Sequence, residues 1–254
     1  MPVDPIHVLQ SAHRPVARSQ VDGNAERTLL IAGATGALGA EVVRRLAGRH
    51  RFARTLVLAR EPIREGMRSV ETVVAGTKPV EQWPRISADV GLVLFEPARL
   101  YYDRERALWT PEPSQLPALA AWMRASGVQT LAIVQPHDQG RLPEALKRGL
   151  ASLDEAAVVA LGFERVILIR SARKPVAPGF ANPLERLAAW MLSITRFMVP
   201  SSEQPVRASK VAELVDLALQ VAPPGVHVAA PELVWQSAQG DMRALVETWL
   251  QPPR

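Results

Sequence analysis

The sequence predicts an α/β fold, a doubly wound parallel sheet with a small C-terminal helical lobe, and three observations predict it. Short continuous apolar runs alternate with longer stretches of helical periodicity, as happens when crossover helices bury parallel strands on both faces. The first run passes directly into "GATGALG", three glycines at intervals of three that open an apparent helix. At 254 residues, with 48% hydrophobic and 22% charged side chains, the chain has the size and composition of a substantial globular core.

Six runs are expected to be strands: Thr28 to Ala32, Thr55 to Ala59, Val70 to Val74, Val90 to Phe95, Thr130 to Val134 and Val166 to Ile169. Between the first two, Leu38, Val42 and Leu46 recur at i, i+4 and i+8, one apolar helical stripe, and Gly48 suits the helix end. Leu116, Leu119, Trp122 and Met123 form a second stripe before the fifth run. Leu142, Leu146, Leu150, Leu153 and Ala157 form a third before the sixth, with Pro143 where a first helical turn tolerates it. Beyond Ala172 the segment "RKPVAPGFANP" raises the proline and glycine content. Helices are then expected over Leu184 to Met198 and Ser209 to Gln220, a strand at "VHVAA", and a last helix over Gln239 to Leu250. The resulting organisation is a polar arm over residues 1–27, a core over 28–172, and a lobe over 173–254 that completes the same domain.

Composition excludes several chemistries. There is no cysteine, so disulfides, thiolate metal sites and a cysteine nucleophile are ruled out. The five histidines, at 7, 13, 50, 137 and 227, include no pair four residues apart, and no metal site is expected. The net charge of +5 is spread along the chain and not gathered in a basic block, which argues against a nucleic-acid partner. The N-terminal arm lacks the apolar core of a secretory signal. "LAAWMLSITRFMV", Leu187 to Val199, is shorter than the roughly 20 apolar residues that a bilayer crossing needs and contains Arg196. A cytoplasmic protein without a membrane partner is the expectation. That same segment presents Trp190, Met191, Phe197 and Met198, either as a helix packed over a cleft or as the interface of a homodimer.

The glycine turn carries the chemistry. Gly33 at the strand exit permits a tight turn, Gly36 lets a ligand's phosphates approach the main chain, and Gly39 lets the helix pack close to the strand. Free amide groups and the positive end of the helix dipole then face a pyrophosphate. This makes residues 28–172 a dinucleotide-binding Rossmann core. Arg60 closes the second strand, where a carboxylate would select NAD and an arginine accommodates the 2'-phosphate of NADP. The cofactor-binding set is therefore Gly33, Thr35, Gly36, Leu38, Gly39 and Arg60, with NADP preferred and NAD the alternative.

"GATGALG" after the first strand, "LAR" closing the second, "ASGVQTLAIV" before the fifth and "VRASKVAELVDLAL" near the end resemble an atypical short-chain dehydrogenase/reductase of the NmrA-like group, from about Thr28 to Ala230. The resemblance implies a nicotinamide dinucleotide across the carboxyl ends of the strands and, in active members, a Ser, Tyr and Lys that deliver a proton as hydride moves. The chain departs from that pattern. Gln135 and Pro136 stand where the serine belongs, Lys147 at the tyrosine position and Ala151 at the lysine position. Thr77 replaces an acidic residue after the third strand, and Glu96 with Pro97 replaces the small residue that lets the dinucleotide pass. The remaining candidates for proton transfer are Lys147, a poor relay unless burial lowers its usual pKa of about 10.4, and His137, which titrates in the useful range. Tyr101 and Tyr102 could border the nicotinamide pocket or pack a loop against the sheet. Two functions follow: an NADPH-dependent reductase of a small carbonyl substrate with substituted residues, or a non-catalytic sensor of cofactor occupancy.

Overall fold

The structure is a computed structural model and describes residues 27–48, 52–63, 70–75, 78–99, 102–137, 154–172 and 206–251. Seven strands form one parallel sheet: β1 (Thr28–Ala32), β2 (Arg54–Ala59), β3 (Val70–Val74), β4 (Val90–Leu94), β5 (Thr130–His137), β6 (Arg165–Ala172) and β7 (Gly225–Ala229). Their spatial order is β3-β2-β1-β4-β5-β6-β7. The chain runs outward from β1 in one direction and then, from β4, in the other. Their divergence leaves a crevice at the carboxyl ends of β1 and β4, where ligands of open α/β sheets sit.

Alternation along β1 builds the two layers. Leu29 and Ile31 join the apolar cluster of Val42 and Leu46 on α1 (Gly36–Gly48) and Leu214 and Val215 on α3 (Ala208–Val221). Leu30 and Ala32 face the other way, with Leu119 and Met123 of α2 (Leu116–Ala125) and Phe163. Both faces are thus covered, which is why the central strands carry continuous apolar runs instead of alternating ones. The edge strand β3 is half-exposed, consistent with its mixed sequence "VETVV".

Two buried ion pairs fasten the layers. Arg45 of α1 donates to Asp216 of α3 at 2.9 Å, with the carboxylate fully buried. Arg170, near the end of β6, holds Glu155 of a helix over 154–160 in a bidentate pair, Nη2 to Oε2 at 2.6 Å and Nε to Oε1 at 3.3 Å. In each case an arginine at the margin neutralises a carboxylate taken out of water, which the fold requires of any buried charge.

The structure revises the sequence reading in three places. β5 and β6 continue together to His137 and Ala172, three residues past the expected ends at Val134 and Ile169, each supplying the other's partners. The last helix begins at Met242 and not at Gln239: Asp241 Oδ1 accepts from the amides of Arg243 and Ala244 at 3.0 and 3.2 Å and so fixes the start of α5 (Met242–Leu250). Before it lies α4 (Pro231–Gln239), which opens on a proline at its first position and stops at Gly240. The arm before residue 27, the expected helix over Leu184 to Met198 and most of the expected stripe from Leu142 lie outside the described residues. Among the described residues no helix is long and apolar enough to cross a membrane.

Candidate functional site

The turn between β1 and α1 has the backbone that its glycines predict. Gly33 and Gly36 lie at φ +81° and +73°, in the left-handed region that side chains disfavour. A Cβ on Gly33 would lie 2.0 Å from the carbonyl oxygen of Leu94, and one on Gly39 would lie 2.3 Å from the carbonyl carbon of Ala34. The first glycine therefore lets the turn pass β4, and the third lets α1 settle against the strand exit. Thr35 is completely buried between them.

The turn's amides are not free. Gly36 N–H donates to Glu105 Oε2 at 3.0 Å, and Leu38 N–H donates to Glu96 Oε2 at 2.5 Å. Two carboxylates from the connection after β4 thus occupy the helix start, supplying both the hydrogen bonds that the orphan amides lack and the negative charge that the dipole favours. The Glu96 side chain lies directly over the turn: a Cβ on Gly36 would come 2.4 Å from its Cδ, 2.5 Å from its Cγ and 2.7 Å from its Oε2. The Thr35 hydroxyl donates to the Glu96 carbonyl and lies 3.2 Å from the Thr110 hydroxyl, binding the turn to the same connection at two points.

Backbone pairing completes the closure. Gly33 N–H donates to the Trp109 carbonyl at 3.1 Å, Trp109 N–H to the Leu58 carbonyl at 3.0 Å, and Arg60 N–H to the Ala107 carbonyl at 2.7 Å. Ala59 and Leu108 form an antiparallel bridge. Residues 107–109 therefore run back along the end of β2, across the mouth where the adenosine half of a dinucleotide would lie. The helical turn Asp103–Arg106 carries Glu105 to the glycine turn.

Glu105 is anchored from both sides. Its carboxylate accepts from the Arg99 guanidinium, from the Arg99 amide at 2.8 Å and from Gly36. Burial opposes its ionisation, but the hydrogen bonds from Arg99 and from the two amides outweigh that cost and hold its carboxyl below the usual carboxylate range. The Arg99 guanidinium in turn lies over the Tyr102 ring, 3.8 Å from its centroid. Tyr102 thus packs this connection together and is 51% exposed on its outer side.

In this conformation the turn does not fit a pyrophosphate. The amides that would hold one already hold Glu96 and Glu105, and the space over Gly36 is filled. Arg60 is exposed at the exit of β2 and forms no ion pair with Glu61 or any other described residue. With Lys78, Trp83, Trp109 and Gln115 it borders a cavity of about 310 Å³. Lys147, Thr77 and Tyr101 lie outside the described residues, and His137 is described by its backbone alone, paired with Ala172 at the end of β5. Gln135 is half-buried in the same strand, beside Arg170 of β6.

Sequence reasoning identified the turn and singled out Glu96 as standing where a small residue lets the dinucleotide pass, but missed Glu105, Trp109 and Thr110. The stretch "YYDRERALWTPEP" has neither helical nor strand period, so nothing in its pattern announces that it folds back over β1 and β2.

The sheet order, the glycine turn and the two-layered core define a Rossmann-type α/β protein. No family model matches the chain, and no curated protein matches it. Among solved structures it is similar to a Rossmann-fold NAD(P)-binding family protein from Shigella flexneri, with 17% identity, 77% of this chain and 87% of that one covered, and a TM-score of 0.45. It is also similar to the triphenylmethane reductase of Citrobacter sp. (17% identity, 80% and 68% covered, TM-score 0.47). A third similar structure is UDP-N-acetylglucosamine 4-epimerase from Bacillus cereus (13% identity, 84% of each chain covered, TM-score 0.44).

Proposed function

We propose that this chain is a nicotinamide-dinucleotide-responsive protein of the Rossmann type that acts as a sensor and not as a reductase, with NADP preferred over NAD. The observation that carries the reading is that the amides of Gly36 and Leu38 hold anionic oxygens: the turn is an anion cradle with carboxylates seated in it. Arg60 and Lys78, two cations beside an open cavity at the end of β2 and β3, support the phosphorylated cofactor. The sensor reading draws on the residues at the proton-transfer positions, where Gln135 and Lys147 replace the serine and tyrosine of the NmrA-like pattern. A dinucleotide gains the turn only where the connection after β4 gives it up, so occupancy and conformation are linked.

Titration of NADPH and NADH against the full chain, followed by tryptophan fluorescence, tests this. NADPH is expected to bind more tightly than NADH, and Arg60→Ala to weaken NADPH about tenfold while leaving NADH nearly unchanged. Equal losses for both would remove the NADP preference. Steady NADPH oxidation with a panel of carbonyl compounds, abolished by Lys147→Ala or His137→Ala, would establish the reductase instead.

A further inference from the structure

We infer that Glu96 and Glu105 are an intramolecular ligand: the described stretches 96–99 and 102–111 after β4 are autoinhibitory, and their carboxylates compete with a dinucleotide's phosphates for the amides of the glycine turn. The inference rests on the dinucleotide-responsive reading and adds the regulation of that site.

Four sets of contacts point the same way. Two carboxylates, 9 residues apart in sequence, reach the same helix start and take different amides, Glu105 that of Gly36 and Glu96 that of Leu38. Glu96 also fills the volume over Gly36, which is the volume the glycine leaves open. Thr35 clasps the segment at its beginning, through the Glu96 carbonyl, and near its end, through Thr110. Residues 107–109 then close the adenosine side by pairing with Gly33, Leu58 and Arg60. A connection that merely joined β4 to α2 would not need to supply partners to the amides of Gly33, Gly36 and Leu38 and to the Thr35 hydroxyl.

The two carboxylates differ in how they are held. Glu105 has Arg99 as a second partner and is almost wholly buried, so it is the anchor of the segment. Glu96 is half-buried and its carboxylate makes a hydrogen bond to the Leu38 amide, while Arg99, which pairs directly with Glu105, reaches Glu96 only as a nearby charge. Glu96 is therefore the carboxylate that leaves first when a diphosphate arrives. A diphosphate brings more negative charge to the dipole than one carboxylate does, which gives the exchange its direction.

The test uses full-length protein in three forms: the unchanged chain, Glu96→Ala and Glu105→Gln. NADPH affinity is measured by calorimetry, and amide hydrogen exchange is read on peptides covering residues 33–42. Glu96→Ala should bind NADPH about tenfold more tightly than the unchanged chain, with faster exchange at the turn before ligand and slower exchange after it. Glu105→Gln, which keeps the shape of the anchor, should shift both readouts in the same direction if Glu96→Ala proves poorly folded by circular dichroism. NADPH binding of equal strength in all three forms would overturn the autoinhibitory role while leaving the dinucleotide reading intact. Faster exchange at the turn in the variants, with no NADPH binding in any form, would overturn the dinucleotide reading and the competition with it.

Discussion

Placing a methyl group on Gly36 separates the backbone of the turn from its occupant. Gly36 has φ +73°, and a left-handed conformation costs a residue with a side chain about 1–2 kcal/mol. The new Cβ would also lie 2.4 to 2.7 Å from three atoms of Glu96, distances that force that side chain away and release the Leu38 amide. Losing a carboxylate from a partly buried helix start adds about 1–2 kcal/mol. Gly36→Ala is thus expected to destabilise the protein by about 2–4 kcal/mol. In a Glu96→Ala background the atoms in the way are gone, and the same substitution should cost only the backbone part, about 1–2 kcal/mol. The double-mutant cycle, measured by urea unfolding of the four proteins at pH 7, should therefore give a coupling of about 1–2 kcal/mol. Additive effects would show that Glu96 does not lie over the turn, and the closed site would fall with it.

Two further outcomes follow from the carboxylates. Because the folded-state pKa of Glu105 is depressed, its stabilising contribution is complete above the unfolded value of about 4.3 and is lost as pH falls through the lower folded value. Unfolding free energies measured from pH 6 to pH 3 should fall less steeply for Glu105→Gln than for the unchanged chain. Glu155→Ala leaves the Arg170 guanidinium without its buried partner and should lower stability by about 3–5 kcal/mol in chemical denaturation, whereas loss of less than about 1 kcal/mol would mean that water replaces the carboxylate.

Most of the sheet was legible in the sequence because its strands are buried on both faces. Leu29 to Ala32 and Leu92 to Leu94 must all be apolar, whichever layer each faces, so the runs stand out from the helices between them. The glycine turn was legible for a different reason: left-handed backbone and close passage of Leu94 and Ala34 leave few alternatives to glycine at 33, 36 and 39. The occupant of the turn was not legible. The bonds from Gly36 to Glu105 and from Leu38 to Glu96 join residues about 60 to 70 positions apart, and a glutamate in an aperiodic connection carries no mark of the amide it will find. The break at Gly240 and Asp241 was available in principle, since an aspartate after a glycine is a cap signal, but the apolar positions on either side continue one another and hide it.

The pairing of Arg45 with Asp216 joins positions 171 residues apart, and α3 carries part of the apolar wall that covers Leu29 and Ile31. On a ribosome adding about 5–20 residues per second, the first strand and its helix wait roughly ten to thirty seconds for that wall to emerge. Through that interval α2 can already cover part of the opposite layer, which Val226 and Val228 of β7 complete only after α3 has emerged. A chain that stops before α3 keeps α1 over that face, with Leu29 and Ile31 short of the cover that Leu214 and Val215 supply.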